Sequence, residues 1–399
     1  MYRVVVTGMG SVTPFGRGVA ALRAGLLEDK SALRFDDGLK FVVGSVPESP
    51  ELFGQWSTGE KREMSRGSMM TLVAADEVSQ GLELCHEETL VNIGTCMADL
   101  EHIGETAEKV KNGQVRKVSP YFVPRILNNL PAGYVAMKYK MMGGVESTST
   151  ACATGLHCIG NAFRSVRHGW ARRALAGATE CAVNPISIAG FDRMRALAHG
   201  DSPKISRPFD KSRSGFVLSE GSGVVFLERL EDALERNAPI LVEIVGYGLS
   251  SDAHHISTPE PSGIGAKLAM SRALRDGNLP ESDVDYVNAH ATSTPRGDTI
   301  EAKAIRDVFQ RDIAVSSVKG HIGHLLGAAG SVETIATICA LMDRKLPANL
   351  NLEESEDDGK LQLLRKSTPW TSKTPIIAIV NSFGFGATNS SLLLREFQS

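Results

Sequence analysis

The sequence predicts an α/β protein built from two similarly ordered halves, with mainly parallel sheets covered by helices. Three observations carry that expectation. Strand-like runs alternate with helix-patterned runs along the chain. Several of the strand runs are near-continuously apolar, as strands buried on both faces require. Each half holds a strand that ends in a Gly- and Ser-rich turn. At 399 residues, 42% hydrophobic and 22% charged, the chain has the composition of a soluble globular protein, long enough for one large two-lobed unit.

In order, strands are predicted over Arg3–Thr7, Leu90–Gly94, Ala174–Gly177, Val224–Leu227, Leu241–Tyr247, Val284–Ala289, Ile313–Ser317 and Ile376–Asn381. Helical spacing falls between them at Val19–Leu27, Ser68–Leu84, Gly155–Arg167, Gly265–Arg275, Thr299–Phe309 and Ser331–Met342. The charged run Glu228–Pro239 marks a boundary, giving halves over 1–235 and 236–399. The acidic segment Asn351–Lys360 reads as a solvated loop. Gly8-Met9-Gly10 lacks the third glycine of a dinucleotide fingerprint, because Thr13 stands there, and reads as a tight turn.

The bulk properties exclude several classes. A net charge of −3 gives no sign of a nucleic-acid binder. The six cysteines form no C-x-x-C pair, which fits reduced thiols and an intracellular compartment. No apolar run is expected to span a membrane. The chain as given opens directly on the strand Val4-Val5-Val6, with no signal or transit peptide ahead of it.

The chemistry centres on Ser147-Thr148-Ser149-Thr150-Ala151-Cys152-Ala153-Thr154-Gly155, where small residues lead into a buried helix. A helix N-terminus presents unpaired N–H groups and partial positive charge, so Cys152 is expected to shift toward thiolate. A lone Cys is more often an inert filler; the histidines, lysine and Gly-Phe loop of the C-terminal half weigh against that. His290 lies just beyond a strand end, where α/β proteins bind ligands. Lys319, His321 and His324 share a Gly-rich turn ahead of an apolar helix containing Glu333, for which Lys319 is the natural partner. A His-rich metal site competes there, but no third ligand stands at metal spacing. Asn381-Ser382-Phe383-Gly384-Phe385-Gly386-Ala387-Thr388-Asn389 predicts a bent loop whose N–H groups could hold an oxyanion.

Together these motifs resemble the β-ketoacyl-[acyl-carrier-protein] synthases, the condensing enzymes of fatty-acid synthesis. Further matching stretches are Ser206-Arg207-Pro208-Phe209-Asp210, Gly215-Phe216-Val217 with Glu220-Gly221, and Asp252 through His255 to Pro261. The resemblance runs from about Val4 to Leu394. It implies a thiolase-like fold, two related halves in five αβαβα layers, and a homodimer. It makes Cys152 the acyl-accepting nucleophile, His290 and His324 the catalytic pair, and Lys319 and Glu333 their supports. The N–H groups of Cys152 and Phe385 would form the oxyanion hole, and Phe385 would gate the acyl pocket. Having His324 rather than Asn looks like the elongating class, which draws on acyl carrier protein and needs no metal, nucleotide or redox cofactor.

The resemblance also places Thr292 and Thr294 on the phosphopantetheine arm, and Met97 and Phe191 in the acyl pocket. The clusters Lys61-Arg62 with Arg66, and Arg116-Lys117 with Arg125, are candidates for docking the acidic carrier, although charge runs are often only solvated faces. Ala387 stands where the family's loop has a Gly, which costs energy if φ is positive there. Ala291 and the run from Lys117 to Leu127 look most like mitochondrial members, with cytoplasmic residence as the alternative. A polyketide-type condensing enzyme and a non-catalytic chain-length partner are the rivals. The latter lacks a nucleophile, whereas Cys152 is present.

Overall fold

Two five-stranded units of identical topology, fused edge to edge, make the frame. The structure is a computed structural model that describes residues 1–79, 87–356, 359, 361–371 and 375–398. The first unit holds β1 (Val4–Thr13), β2 (Thr89–Gly94), β3 (Val145–Glu146), β4 (Arg173–Glu180) and β5 (Gly221–Arg229). The second holds β6 (Val242–Ser251), β7 (Tyr286–Asn288), β8 (Ala314–Ser316), β9 (Ile377–Gly384) and β10 (Thr388–Glu396). In each, the spatial order is third, second, fourth, fifth, first. The third, second and fourth strands pair in parallel, and the fourth, fifth and first antiparallel. The two first strands meet where Val4, Val5 and Val6 pair antiparallel with Ile244, Glu243 and Val242. This joins everything into one 12-stranded sheet, completed by Gly16–Arg17 and Gln362–Leu363.

The expectation of mainly parallel sheets is therefore corrected. Apolar runs report burial on both faces, not strand direction. β9 and β10 are joined by a tight turn, which permits only antiparallel pairing.

The longer helices are α1 (Val19–Leu27), α2 (Arg66–Ser79), α3 (Leu100–Lys111), α4 (Leu130–Tyr139), α5 (Thr154–Arg167), α6 (Pro185–Arg193), α7 (Ile264–Gly277), α8 (Pro295–Phe309) and α9 (Ala329–Asp343). Side chains alternate across the strands and sort them into layers. Val91, Ile93 and Leu175 pack with α2 and α4, whereas Leu90, Ala174 and Ala176 pack with α5 and α9. In the second unit Ala378, Val380, Leu392 and Leu394 face α5 and α9, while Ile377, Ile379 and Leu393 face α7 and α8. The order is thus helix, sheet, helix, sheet, helix, with α5 and α9 as the central layer. The stretch Leu326–Asp343 is long and apolar enough to cross a membrane by length and composition, contrary to the expectation for this chain, but 89% of it is buried inside the protein.

Other elements depart from their sequence patterns for identifiable reasons. Gly8-Met9-Gly10 is no turn. It lies inside β1, and a Cβ on Gly10 would sit 2.0 Å from the Ala74 carbonyl oxygen of α2. α3 escapes an apolar-stripe search because only Thr106 is buried in it. β10 begins with small hydroxyl residues that are nonetheless buried, Ser391 Oγ donating to Asn381 Oδ1 at 2.8 Å. Within Asn351–Lys360, the Glu353 and Glu354 N–H groups donate to Asp210 at 2.8 and 3.0 Å, so the loop is anchored. Residues 357, 358 and 360 of that loop, residues 80–84 of the predicted Ser68–Leu84 helix, and Cys85 lie outside the described residues.

The seating of α5 on the second unit is testable. A Cβ on Gly160 would lie 2.2 Å from ring atoms of the buried Tyr247. Gly160→Ala is expected to lower the unfolding free energy by about 1–3 kcal/mol, read as a lower urea midpoint with unchanged slope. A wild-type midpoint would show that α5 does not rest on this ring.

Candidate active site

Cys152 sits in a 3-10 turn, Ala151–Ala153, that runs directly into α5. The turn is strained and clamped. Ala151 takes φ 49°, a left-handed value that L side chains disfavour. Thr154 Oγ1 accepts from Thr150 N at 2.9 Å and donates to the Ala151 carbonyl at 2.8 Å. The β9–β10 hairpin closes over it. A Cβ on Gly384 would be 2.7 Å from the Thr150 carbonyl oxygen, so only glycine lets the hairpin come this near. Ser382 Oγ donates to the Cys152 carbonyl at 2.9 Å. The backbone N–H groups of Phe385 and of Cys152 itself hydrogen-bond to the sulfur.

The two candidate histidines arrive from the other unit. His324 Nε2 lies 3.1 Å from Cys152 Sγ. The His290 and His324 rings are 5.4 Å apart, nearly perpendicular at 82°. His324 is fixed at its backbone, donating to Val217 O at 2.8 Å and accepting from Ser219 N at 3.0 Å. Its ring meets that of Phe216 edge to face at 5.3 Å and 90°. His290 is fixed through its carbonyl, which accepts from Lys319 Nζ at 2.6 Å. Lys319 is also ion-paired with Glu333, and both side chains are only 1% exposed. His321, from the same turn, is not part of the site: its ring nitrogens contact the carbonyls of Lys30 at 2.8 Å and Ala348 at 3.2 Å.

Three buried carboxylates that sequence reasoning misses hold this arrangement. Glu301 accepts from the N–H groups of His290 (2.9 Å) and Ala291 (2.7 Å) and from Asn381 Nδ2 (3.2 Å). Asp298 accepts from the N–H groups of Thr292, Ser293 and Thr294 at 3.0, 3.1 and 3.2 Å. Both lie on the buried face of α8, three residues apart; acidic residues there among Ala302 and Ile305 are the available signal. Glu180, at the end of β4, accepts from Cys96 N and Gly327 N, each at 3.1 Å, and ties the wall beside Cys152 together.

Burial dominates the electrostatics. It pushes the Cys152 thiol up to about 12, against the lowering effects of Lys319 and the two N–H groups. The expected drift toward thiolate is therefore corrected: removal of the sulfur from water outweighs its place before a helix. Burial, reinforced by Lys319, also holds both His290 and His324 well below the ordinary histidine range, so both rings are neutral at pH 7. Their Nδ1 atoms are buried and have no hydrogen-bond partner among the described residues, which leaves Nε2 as the working nitrogen on each ring. Burial raises Glu301 and Glu333 to about 7 each.

A cleft of about 460 Å³ opens from Cys152, lined by both histidines, Phe191, Thr292, Thr294 and Phe385 among others. The Thr292 and Thr294 hydroxyls are 3.1 Å apart on its wall. Met97 is partly buried in the apolar cluster that also holds Cys152, Phe191 and Phe216, but it does not line the cleft. Ala387 has φ 62°, so the strain anticipated at this position is present, about 1 kcal/mol or more. None of the six candidate docking cations lines the cleft. Arg66 is engaged with Glu48 and, at 2.9 Å, with the buried Glu220. Arg125 bonds Asp99 at 2.8 Å and the Lys61 carbonyl at 3.0 Å. Lys61, Arg62, Arg116 and Lys117 are exposed.

This geometry has relatives. The family profile "Beta-ketoacyl synthase, N-terminal domain" matches residues 1–233, and "Beta-ketoacyl synthase, C-terminal domain" matches residues 241–353. The chain belongs to the β-ketoacyl synthase family. Along its length this synthase is 42% identical to the mitochondrial 3-oxoacyl-[acyl-carrier-protein] synthase of Arabidopsis thaliana, covering 99% of this chain and 93% of that protein. It is 40% identical to the 3-oxoacyl-[acyl-carrier-protein] synthase homolog of Saccharomyces cerevisiae, covering 99% of each. Among solved structures, a β-ketoacyl synthase from Burkholderia phymatum matches at TM-score 0.91 and 30% identity over the whole of both chains. A type II polyketide ketosynthase in complex with its acyl-carrier protein matches at TM-score 0.91 and 28% identity, also over the whole of both chains.

The buried thiol of this synthase sets a pH expectation. Alkylation by iodoacetamide needs the thiolate, whose fraction rises tenfold per pH unit below the thiol's own pKa. Labelling of Cys152, followed by peptide mass, should climb through pH 9 without levelling. A plateau between pH 7 and 8 would mean that the helix end, not burial, controls the sulfur.

Proposed function

We propose that this protein is a 3-oxoacyl-[acyl-carrier-protein] synthase of the elongating type, with Cys152 as nucleophile and His290 and His324 as paired donors. The observation that carries the reading is the convergence at one sulfur of His324 Nε2 at 3.1 Å and two backbone N–H groups, with a second neutral imidazole beside them. Three neutral donors around one atom, with a fourth beside them, suit a reaction in which negative charge appears on oxygen and then leaves.

In the first half-reaction the Cys152 thiolate, a minority form that the two N–H groups and His324 stabilise, attacks the acyl thioester. The carbonyl oxygen gathers charge between the N–H groups of Cys152 and Phe385. The C–S bond to the carrier breaks, the proton given up by the Cys152 thiol passes to the departing carrier thiolate, and acyl-Cys152 remains. In the second, the carbonyl oxygen of a malonyl thioester binds the Nε2 hydrogens of His290 and His324. Loss of CO2 leaves the electron pair of the broken C–C bond as an enolate held by those donors. Its carbon attacks the acyl carbonyl, Cys152 leaves and is reprotonated, and the product is a 3-oxoacyl thioester two carbons longer. Atoms and electrons balance without a metal, nucleotide or redox cofactor.

Neutral histidines fit this role better than charged ones. An imidazolium would stabilise the malonyl carboxylate as well as the enolate, and ground-state stabilisation does not speed the step. Lys319 keeps them neutral by its charge and holds His290 by its carbonyl. Thr292 and Thr294 offer hydroxyls to the amides of the phosphopantetheine arm, and Phe191 forms the apolar wall on the acyl side, with Met97 in the apolar cluster it belongs to. Phe385 gates that wall with its ring, while its own N–H serves the oxyanion.

The same reading takes in assembly and place. The first unit ends at β3, a two-residue edge, beside Met137, Met142 and Val145 at 61, 65 and 47% exposure. An unpaired edge flanked by exposed apolar side chains is where a second copy extends the sheet, and a homodimer follows. The mitochondrion is the compartment we favour, from the Arabidopsis relative and a Schizosaccharomyces pombe relative named as a putative mitochondrial synthase, 39% identical over the whole of both chains. The partner is acyl carrier protein.

The test is intact mass after incubation with a medium-chain acyl carrier protein. Wild type should gain one acyl group, and Cys152→Ala none. Malonyl carrier protein should then discharge it as a 3-oxoacyl product. His290→Ala should still acylate but lose about 10²–10³-fold in condensation. If wild type accepts no acyl group from any donor, elongation is wrong and the chain-length-partner reading takes its place.

A further inference from the structure

Two arginines stand at the cleft mouth without a carboxylate. Arg195 and Arg296 both line the cleft, one from each unit, and both are exposed. Among the described residues, neither guanidinium has an ion pair or a side-chain hydrogen bond. Elsewhere Arg3, Arg66, Arg125, Arg167, Arg172, Arg213 and Arg236 all bond acidic side chains. The acidic side chains that line the same cleft are already satisfied inside the protein. Asp252 accepts from Asn389 Nδ2 at 2.8 Å and Glu260 N at 3.1 Å, Glu260 from Ser262 N at 2.9 Å, and Glu301 holds the His290 loop. The two guanidiniums at the mouth are therefore free to take an anion.

The backbones beneath both side chains are fixed. Arg195 has φ 56° and ends α6 by turning the chain back. Immediately after it, the Ala196 carbonyl accepts from Phe216 N at 2.9 Å, and Phe216 is the residue packed on His324. Arg296 follows Pro295 in the first turn of α8, two residues beyond Thr294. The Pro295 carbonyl accepts from the buried Arg213 at 2.7 Å. Among these lining residues exposure rises along the chain: His290 is buried, Thr292 and Thr294 are half-buried, and Arg296 is exposed.

We propose that Arg195 and Arg296 form a phosphate clamp that binds the phosphoryl group at the outer end of the pantetheine arm. This inference rests on the reading of the cleft as a thioester site. An arm whose thioester lies at Cys152 and whose amides lie at the two threonines ends outward in a phosphate, an anion that takes two guanidiniums well. The clamp is distinct from the exposed cations Lys61, Arg62, Arg116 and Lys117, which do not line the cleft. The same phosphoryl group is carried by acyl carrier protein and by coenzyme A; we assign the carrier protein as its source here.

The experiment measures Cys152 acylation by intact mass, using octanoyl-pantetheine, octanoyl-phosphopantetheine, octanoyl-coenzyme A and octanoyl carrier protein. Wild type should show a KM about tenfold lower for phosphopantetheine than for pantetheine, since each exposed contact is worth a few-fold. This preference should shrink as salt is raised. In the double variant Arg195→Gln/Arg296→Gln the preference should fall to about one, and KM for the carrier protein should rise. Equal KM values for the two short donors in wild type, or a preference unchanged in the variant, would overturn the clamp. A variant that loses affinity for octanoyl-coenzyme A but not for the carrier protein would overturn the assigned source. No acylation of wild type by any donor would instead overturn the thioester reading itself, and the clamp with it.

Discussion

The contact on which the rest depends is between two glycines at the heads of the central helices. A Cβ on Gly155, in the first turn of α5, would lie 2.7 Å from Ser331 N. One on Gly330, in the first turn of α9, would lie 2.8 Å from Leu156 N. The contact is reciprocal, as expected when two copies of one topology face each other. Any side chain at either position would force the helices apart. Because α5 begins just after Cys152 and α9 just after the His324 turn, this backbone contact sets the sulfur against the imidazole. Cys152 comes from one unit and His290, His324 and Phe385 from the other, so the cleft exists only when the units are together.

Closeness of this kind puts charge where water cannot reach it. Lys319, Glu333, Glu301, Asp298 and Glu180 are each at most 2% exposed. Isolated, any one would be very costly. They persist because each is matched: Lys319 with Glu333 and the His290 carbonyl, and the other three carboxylates with backbone N–H groups. The gain from such pairing is less net stability than geometry. The loop from His290 to Thr294, which has no regular structure, is held at five consecutive N–H groups and one carbonyl.

How much of this is legible in the sequence depends on what each residue's signal rests on. Cys152, His290, Lys319, His324 and Glu333 are visible because each is a reactive or charged group inside an otherwise small or apolar stretch. The central helices are visible because α5 and α9 bury nearly every apolar position. Strand direction is not, since an apolar run looks the same parallel or antiparallel. Glu301 and Asp298 escape notice because an acidic residue on a helix ordinarily faces solvent; only the fold shows that theirs is the inward face. The acidity of Cys152 misleads for a related reason: the helix-end effect is local and can be read from sequence, whereas burial is global and cannot.

The opposition between those two effects bears on how the site works. A sulfur raised to about 12 by burial is a poor resting nucleophile, and two histidines pushed below their usual range are poor bases. Dryness that suppresses charge at rest also strengthens every hydrogen bond to charge that forms transiently. The two histidines and the two N–H groups are fixed in advance by backbone, ion pair and carboxylate, so in the proposed reaction they need no reorganisation when an oxyanion or enolate appears. The cost falls on the resting thiol, where it slows the acylation step and its alkylation alike. The benefit falls on the proposed condensation step, where an enolate has to be held between two imidazoles. The same burial thus makes the nucleophile reluctant and the enolate stable, and a site whose harder step is carbon–carbon bond formation gains from that exchange.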